Sequence, residues 1–98
     1  MENVADRYVW LRKWLIECDD DEPIQLSDGH TYQLLSYFQI AFYLYTIYHD
    51  RTANNYLWYV SENYILYDHQ LISSKRYATE EDAIWAAAHV WPAVRPRV

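Results

Sequence analysis

The apolar residues of the N-terminal segment recur every three or four positions, which is the spacing of one helix face. They are Val4, Tyr8, Leu11, Leu15 and Cys18. A helix is therefore predicted over 3–18, with Asn3 as its N-cap and Asp6 three residues later in the capping-box position. The remaining face holds Arg7, Arg12 and Lys13.

A second apolar stretch, over about 31–48, is nearly uncharged and crowded with aromatic rings. A polar residue interrupts it every few positions, so it is not predicted to span a membrane. A helical stripe through Leu34, Phe38 and Phe42 fits it, and so does the alternation of a strand. Its aromatic and β-branched residues favour one long strand over about 36–48.

The two faces of this predicted strand have different roles. The face that runs from Phe38 to Leu44 is predicted to meet the helices. Tyr43, Tyr45 and Ile47 then point outward and contribute to a broad aromatic surface.

Turn signals divide the rest of this region. Asp28-Gly29 is the strongest turn dipeptide, and a polar turn is predicted over 49–55. Residues 56–72 are predicted to form a hairpin around Glu62-Asn63. Both faces of that hairpin are apolar or aromatic, so its second face is either covered too or exposed as an aromatic surface.

The last apolar pattern is helical. Thr79 is predicted to be the N-cap and Asp82 its acidic partner three residues on. The core stripe consists of Ile84, Ala87, Ala88 and Trp91. Pro92 is predicted to end the helix, which leaves 93–98 as a frayed basic tail.

Together these elements predict a single α+β domain over 1–98. The expected architecture is an antiparallel sheet of three to four strands in α-β-β-β-α order. The N- and C-terminal helices are predicted to pack on one face of the sheet.

Composition narrows the classes of function. The 98 residues contain one glycine, Gly29, which excludes the glycine-rich phosphate-binding loops. A formal charge of −6 argues against direct binding to nucleic acid or to an anionic membrane. The lone Cys18 is expected to be a small buried hydrophobe. The first ten residues lack the apolar core of a signal peptide, so a cytoplasmic location is expected.

No catalytic motif, metal site or cofactor site is predicted. His49 adjoins Asp50, and Asp68 adjoins His69, but neighbouring residues of a strand point to opposite faces. A site that combines His49 with His69 requires a suitable pairing of their strands and remains a minor alternative.

Two acidic clusters and one aromatic surface are the candidate partner-binding residues. The acids are Asp19, Asp20, Asp21 and Glu22 after the first helix, and Glu80, Glu81 and Asp82 at the start of the last. The aromatic surface comprises Tyr43, Tyr45, Ile47, Tyr59 and Tyr64. A homodimer through the sheet face is one way to cover that surface, and ordinary solubilising charge is the alternative interpretation of the acids.

The α-β-β-β-α order resembles the double-stranded RNA-binding domain, whose last helix begins with basic residues that grip phosphates. Here the corresponding residues, Thr79–Asp82, carry the opposite charge, so the resemblance is to topology alone and argues against RNA binding.

A second resemblance covers about a quarter of the chain. Residues 6–15, "DRYVWLRKWL", resemble the opening of small phage and prophage proteins, and 76–91 resemble their closing helices. Such proteins include anti-CRISPR inhibitors, which occlude nucleic-acid-binding surfaces. The resemblance implies a small acidic, non-enzymatic inhibitor whose partner is a basic host protein. The alternatives are an aromatic-sheet binder of single-stranded nucleic acid and a histidine-dependent enzyme.

Overall fold

The computed structural model describes residues 3–19, 22–40, 42–62 and 68–94, with only the backbone described for 62 and 91–94. The elements are α1 (Val4–Trp14), β1 (Ile16–Glu17), β2 (Ile24–Gln25), β3 (Thr31–Ile40), β4 (Tyr43–Asp50), β5 (Asn55–Glu62), α2 (Asp68–Ile72) and α3 (Glu80–Val94). None of the helices in these ranges has the length and apolarity that crossing a bilayer requires.

α1 begins as predicted but ends four residues early. The Asn3 side chain accepts a hydrogen bond from the Asp6 backbone N–H at 3.0 Å, which confirms the cap. At Leu15 the backbone turns extended (φ −65°, ψ 132°), and Ile16 pairs with Tyr37 as the first residue of β1. The predicted helix to residue 18 was wrong, because Ile16 and Glu17 pair their backbone with β3 at the sheet edge instead of continuing the helix.

The α+β class and the antiparallel sheet are confirmed, but the sheet has five strands rather than three to four. The order is β1-β3-β4-β5, and β2 pairs with the first residues of β3 while β1 pairs with its middle. The turn at Gly29 (φ 84°) joins β2 to β3, and the polar turn after Asp50 joins β4 to β5, both as predicted. Glycine accommodates that left-handed conformation without strain.

The long strand predicted over 36–48 is two strands. Ile40 pairs with Tyr43, and Phe38 pairs with Tyr45, so the chain reverses between them. The hydrophobic pattern continues through the reversal, and Phe42 stands 72% exposed at the tip of the hairpin. No glycine, proline or charge marks this turn, which is why periodicity alone joined the two strands.

A β-bulge at Leu35 gives the sheet two different halves. Leu34 pairs with Tyr48 and Ser36 with Ile47, so Leu35 has no directly opposed residue. Because side chains alternate along a strand, the extra residue moves each set of side chains to the other face at this point.

α1 and α3 cover one side of the sheet, which we call the helix face. Its core consists of Leu11, Phe38, Tyr45, Ile47, Ala83, Ile84, Ala87 and Ala88, all buried. Thr79 caps α3 by accepting the Asp82 N–H at 3.1 Å, which confirms that prediction. The predicted core role of Ile84, Ala87 and Ala88 is also confirmed, whereas the Trp91 side chain lies outside the description.

The opposite side, the rear face, is covered at one end by α2. Leu71 of α2 packs with Tyr32, Tyr48 and Leu57. This arrangement corrects one prediction, because 68–72 form a helix and are not part of a hairpin strand. α2 is an additional helix, and the N- and C-terminal helices α1 and α3 lie together on the helix face. The remainder of the predicted hairpin, 63–67, lies outside the described residues.

α3 continues through Pro92 to Val94 and so passes its predicted end. Proline has no backbone N–H, so the Ala88 carbonyl lacks its usual helical donor. The buried Arg7 supplies one, because its Nε donates to the Ala88 oxygen at 3.0 Å. Arg7 was predicted to lie on the polar face of α1, and this missing helical bond is the physical reason for its burial.

Candidate functional site

The predicted outward-facing aromatic surface does not exist in that form. Tyr45 and Ile47 are fully buried on the helix face, and Tyr43 is half-buried against the same core. Tyr59 is half-buried on the rear face beside the α2 cluster. The error follows from the hairpin, because reversal after Ile40 places the odd-numbered residues of β4 on the same side as Phe38. Tyr64 lies outside the described residues.

The first acidic cluster is described only at its ends. Asp19 and Glu22 are exposed, and Asp20 and Asp21 lie outside the described residues. Cys18 is half-buried and sits in no helix, so the predicted buried position on an apolar helix side was wrong.

The three acids of the second cluster differ in their contacts. Glu81 accepts a hydrogen bond from the Tyr8 hydroxyl and forms an ion pair with Arg12 at 3.5 Å, so it links α3 to α1. Within the described part of the chain, Glu80 and Asp82 form no ion pair. Their carboxylates therefore remain available to a partner, whereas that of Glu81 is engaged.

A surface groove beside α3 brings Asp82 together with aromatic side chains. This α3 groove has a volume of about 440 Å³. Its lining consists of Lys75, Tyr77, Asp82, Trp85, Ala86, His89 and Val90. Trp85 is 40% exposed, so part of its large ring faces solvent at this groove.

Hydrogen-bond acceptors and aromatic faces dominate the α3 groove. His89 Nδ1 lies 3.1 Å from the Trp85 carbonyl oxygen, which only accepts, so Nδ1 carries a proton; in the neutral form of the ring Nε2 is then the acceptor. The His89 and Trp85 rings meet edge to face at 5.2 Å. Among the described residues Lys75 is the cation that lines this groove, with its Nζ 5.7 Å from the Tyr77 ring centroid.

Sequence reasoning identified Asp82 but missed its neighbours in the groove. Trp85 and His89 follow Asp82 by three and seven residues, which is the spacing of one helix face. The available signal was that Trp85 falls outside the core stripe of Ile84 and Ala88. An aromatic ring outside the buried stripe of a short helix is a candidate contact residue.

The rear face carries a second cavity, of about 480 Å³. It is lined by Ile16, Leu34, Tyr37, Gln39, Leu44 and Thr46. None of these described lining residues is charged, so this part of the cavity offers apolar contact without electrostatic selectivity.

A polar cluster lies at the end of the sheet nearest α2. Its centre is Asp50, which is fully buried. Asp50 Oδ2 accepts hydrogen bonds from His30 Nδ1 at 2.7 Å and Arg76 Nη1 at 3.1 Å. Oδ1 accepts the backbone N–H groups of Thr52 and Ala53, each at 3.0 Å. One carboxylate therefore orders both the adjoining turn and two side chains.

The cluster continues through Tyr32 to Asp28. The Tyr32 hydroxyl donates to Asp28 Oδ2 at 2.6 Å and accepts from Arg76 Nη2 at 2.9 Å. Arg76 Nη2 also donates to the Ile72 carbonyl at the end of α2. The β2–β3 turn, the sheet and the segment between α2 and α3 thus meet at one set of hydrogen bonds.

These hydrogen bonds and the burial of the cluster shift the pKa values of Asp50, His30, Asp28 and Tyr32. Burial disfavours the charged form of Asp50, but hydrogen bonds from His30 and the Ala53 N–H outweigh it and lower its pKa. The hydrogen bond to Asp50 raises the pKa of His30 despite partial desolvation. The Tyr32 hydroxyl lowers the pKa of Asp28, and burial raises the pKa of Tyr32.

An aspartate–histidine pair of this kind positions the free imidazole nitrogen for proton transfer. Neither of the two cavities above is lined by His30 or Asp50. The contacts of the cluster instead join segments of the fold, which supports a structural role. His49 takes no part, since it stacks on Tyr56 at 4.5 Å and its Nε2 lies 3.1 Å from Asn54 Oδ1.

Sequence reasoning did not identify the histidine that contacts Asp50, which is His30. It compared Asp50 only with its neighbour His49, and correctly separated them by strand alternation. Across the sheet Asp50 opposes Tyr32, which brings His30 within reach. In the described ranges no group of three or more His, Cys, Asp or Glu side chains is arranged to hold a metal ion.

The chain matches no family model, no curated protein and no solved structure. Its own surface chemistry is therefore the basis for assigning a function.

Proposed function

We propose that this protein is a small acidic interaction protein that binds a basic partner protein without catalysing a reaction. The observation that carries the proposal is the α3 groove, which is lined by both the acidic Asp82 and the exposed aromatic Trp85. Interfaces are enriched in such aromatic anchors, and charges near them steer association.

The partner class follows from charge. A net charge of −6 favours a basic partner, and basic surfaces on proteins commonly hold nucleic acid. Occupation of such a surface by this protein would exclude the nucleic acid. The phage-type, anti-CRISPR-like inhibition implied by the resemblance at the two ends of the chain is one instance of this activity.

The aromatic-sheet alternative has less support. Stacking of single-stranded bases requires exposed rings with cations between them. Tyr45 and Ile47, which were to form that platform, lie under the helices. A homodimer cannot form through Tyr45 and Ile47 because both are buried within the protomer. Self-association therefore stays a prediction, and no interface is assigned to it.

The experiment is capture of the partner from a bacterial lysate with the immobilised protein, with and without nuclease. We expect a nucleic-acid-binding protein that is retained after nuclease treatment and is displaced by added duplex or single-stranded oligonucleotide. A partner that leaves with the nuclease, or that oligonucleotide fails to displace, would contradict occlusion of a nucleic-acid-binding surface.

Two charge variants test the role of the acids. Replacement of Asp19 and Glu22 by Asn and Gln, and of Glu80 and Asp82 by Gln and Asn, should each slow association and flatten its dependence on salt. The matched control is Asp6→Asn, an exposed acid outside both clusters. On-rates of both pairs equal to that of the control would show that the acids only confer solubility.

A further inference from the structure

We propose that the α3 groove binds an arginine side chain presented by the basic partner. This inference rests on the proposed function and names the chemical group that the groove takes. It follows from the size of the groove, from its acceptors and from its aromatic surface.

The groove has the dimensions of a side-chain pocket. Its volume of about 440 Å³ lies within the range of about 300–1,000 Å³ typical of small-ligand sites. Ala86, the smallest lining residue, takes up little of this volume. A single long side chain fits this space, whereas a folded element does not.

Its chemistry suits a planar cation with several donors. The Asp82 carboxylate accepts hydrogen bonds, and the exposed Trp85 ring provides apolar aromatic surface for stacking. The neutral form of His89 adds a second acceptor at Nε2, since Nδ1 is turned to the Trp85 carbonyl. A guanidinium stacks on an indole while its N–H groups reach acceptors in the same plane. The compact, strongly hydrated ammonium of lysine does not combine both contacts.

The position of Lys75 limits where the incoming group lies. Its ammonium already sits near the Tyr77 ring and repels a second cation there. The arginine therefore belongs beside Asp82 and Trp85 rather than over the Tyr77 ring, which the Lys75 ammonium already occupies. Removal of the Lys75 charge should consequently strengthen binding.

The test is a titration of the ¹⁵N-labelled protein with tetra-arginine and tetra-lysine peptides at about 150 mM salt, followed by NMR. We expect tetra-arginine to shift the Trp85 indole N–H and the amides of 82–90, and to bind more tightly than tetra-lysine. Salt at this concentration screens charges beyond about 8 Å, so the remaining difference reports local contacts.

Matched variants locate the contact. Asp82→Asn and Trp85→Leu should each weaken tetra-arginine binding by about threefold to fivefold. Glu80→Gln removes the same charge from the same helical turn but outside the groove lining, and should change binding less than about 1.5-fold. Lys75→Gln should tighten it by about twofold, which no loss of folding would imitate.

Two other outcomes overturn the inference, and they are distinguishable. If the peptides bind equally, with shifts near Asp19 and Glu22, or if Asp82→Asn matches Glu80→Gln, the groove does not select arginine although an acidic binding function stands. If neither peptide shifts any resonance up to millimolar concentration and no basic protein is captured from lysate, the proposed function fails as well.

Discussion

Replacement of Asp50 by asparagine tests whether one buried carboxylate holds the end of the sheet. Asparagine has almost the same shape, and its Oδ1 can still accept the N–H groups of Thr52 and Ala53. The Oδ2 position becomes an amide that donates, so it faces the donors of His30 and Arg76 without accepting from them. The substitution thus removes the ion pair and keeps the turn.

The expected cost follows from burial. Loss of one partner of a buried ion pair costs about 3–5 kcal/mol. The lower limit applies here, because the Arg76 side chain is 25% exposed and water reaches part of it. For a domain of this size about 3 kcal/mol corresponds to a fall in Tm of roughly 12–24 °C. Asp50→Ala should cost about 1–3 kcal/mol more, since two backbone N–H groups also lose their acceptor.

Urea denaturation followed by tryptophan fluorescence measures this cost. The matched control is Asp68→Asn, because Asp68 is exposed and accepts one backbone bond, from Ser27 N–H at 3.0 Å. That control should lose less than about 1 kcal/mol. Two results would show that the Asp50 carboxylate does not hold the end of the sheet through Arg76: a loss of stability in Asp50→Asn no larger than in the control, or an effect that is additive with that of Arg76→Met.

Three further predictions concern the core and pH. Tyr45→Phe should stabilise the fold by about 1 kcal/mol, since among the described residues its buried hydroxyl has no hydrogen-bond partner. Tyr32→Phe should destabilise the fold, because the Tyr32 hydroxyl bonds to Asp28 and Arg76. Calorimetry should therefore show a higher Tm for Tyr45→Phe and a lower Tm for Tyr32→Phe, and shifts in the same direction would contradict this. The raised pKa of His30 adds stability that is fully present below about pH 6.5 and is lost as pH rises through the folded value. When the urea midpoint is measured at a series of pH values, His30→Gln should therefore lack this decline. A midpoint that falls with pH in parallel for the variant and the parent would contradict the prediction. Arg7→Met should cost about 1–3 kcal/mol, because it leaves the Ala88 carbonyl unpaired. In a Pro92→Ala protein, where residue 92 regains its backbone N–H, Arg7→Met should cost markedly less; an equal cost with and without the Pro92→Ala change would refute the idea that Arg7 replaces the missing helical donor.

Local signals in the sequence predicted where the first and last helices begin, although not where they end. Asn3 and Thr79 are caps because their side chains satisfy N–H groups of the next turn, and this depends only on residues nearby. The α3 core stripe is a local pattern too. Such features are independent of the rest of the fold, so they are visible in the sequence.

The strand faces depended on information that the pattern lacks. Phe42 is apolar although it stands at a hairpin tip, and Leu35 bulges without a glycine to mark it. Either event reverses which residues face the core, and aromatic side chains on both faces conceal it. The cluster at Asp50 was hidden for a related reason, because its partners come from distant positions in the chain. Only the pairing of Tyr32 with Asp50 brings them together.

The two shortest strands have a consequence for solubility. Thr31–Ile40 is uncharged and rich in β-forming residues, which is the composition of segments that pair with further copies of a chain. Its outer edge is occupied by Ile16–Glu17 and Ile24–Gln25, and the Cys18 N–H bonds to the Leu35 carbonyl between them at 2.9 Å. Short edge strands of this kind give an incoming strand little to pair with. Aggregation should therefore begin when these edge residues detach, before the sheet itself unfolds.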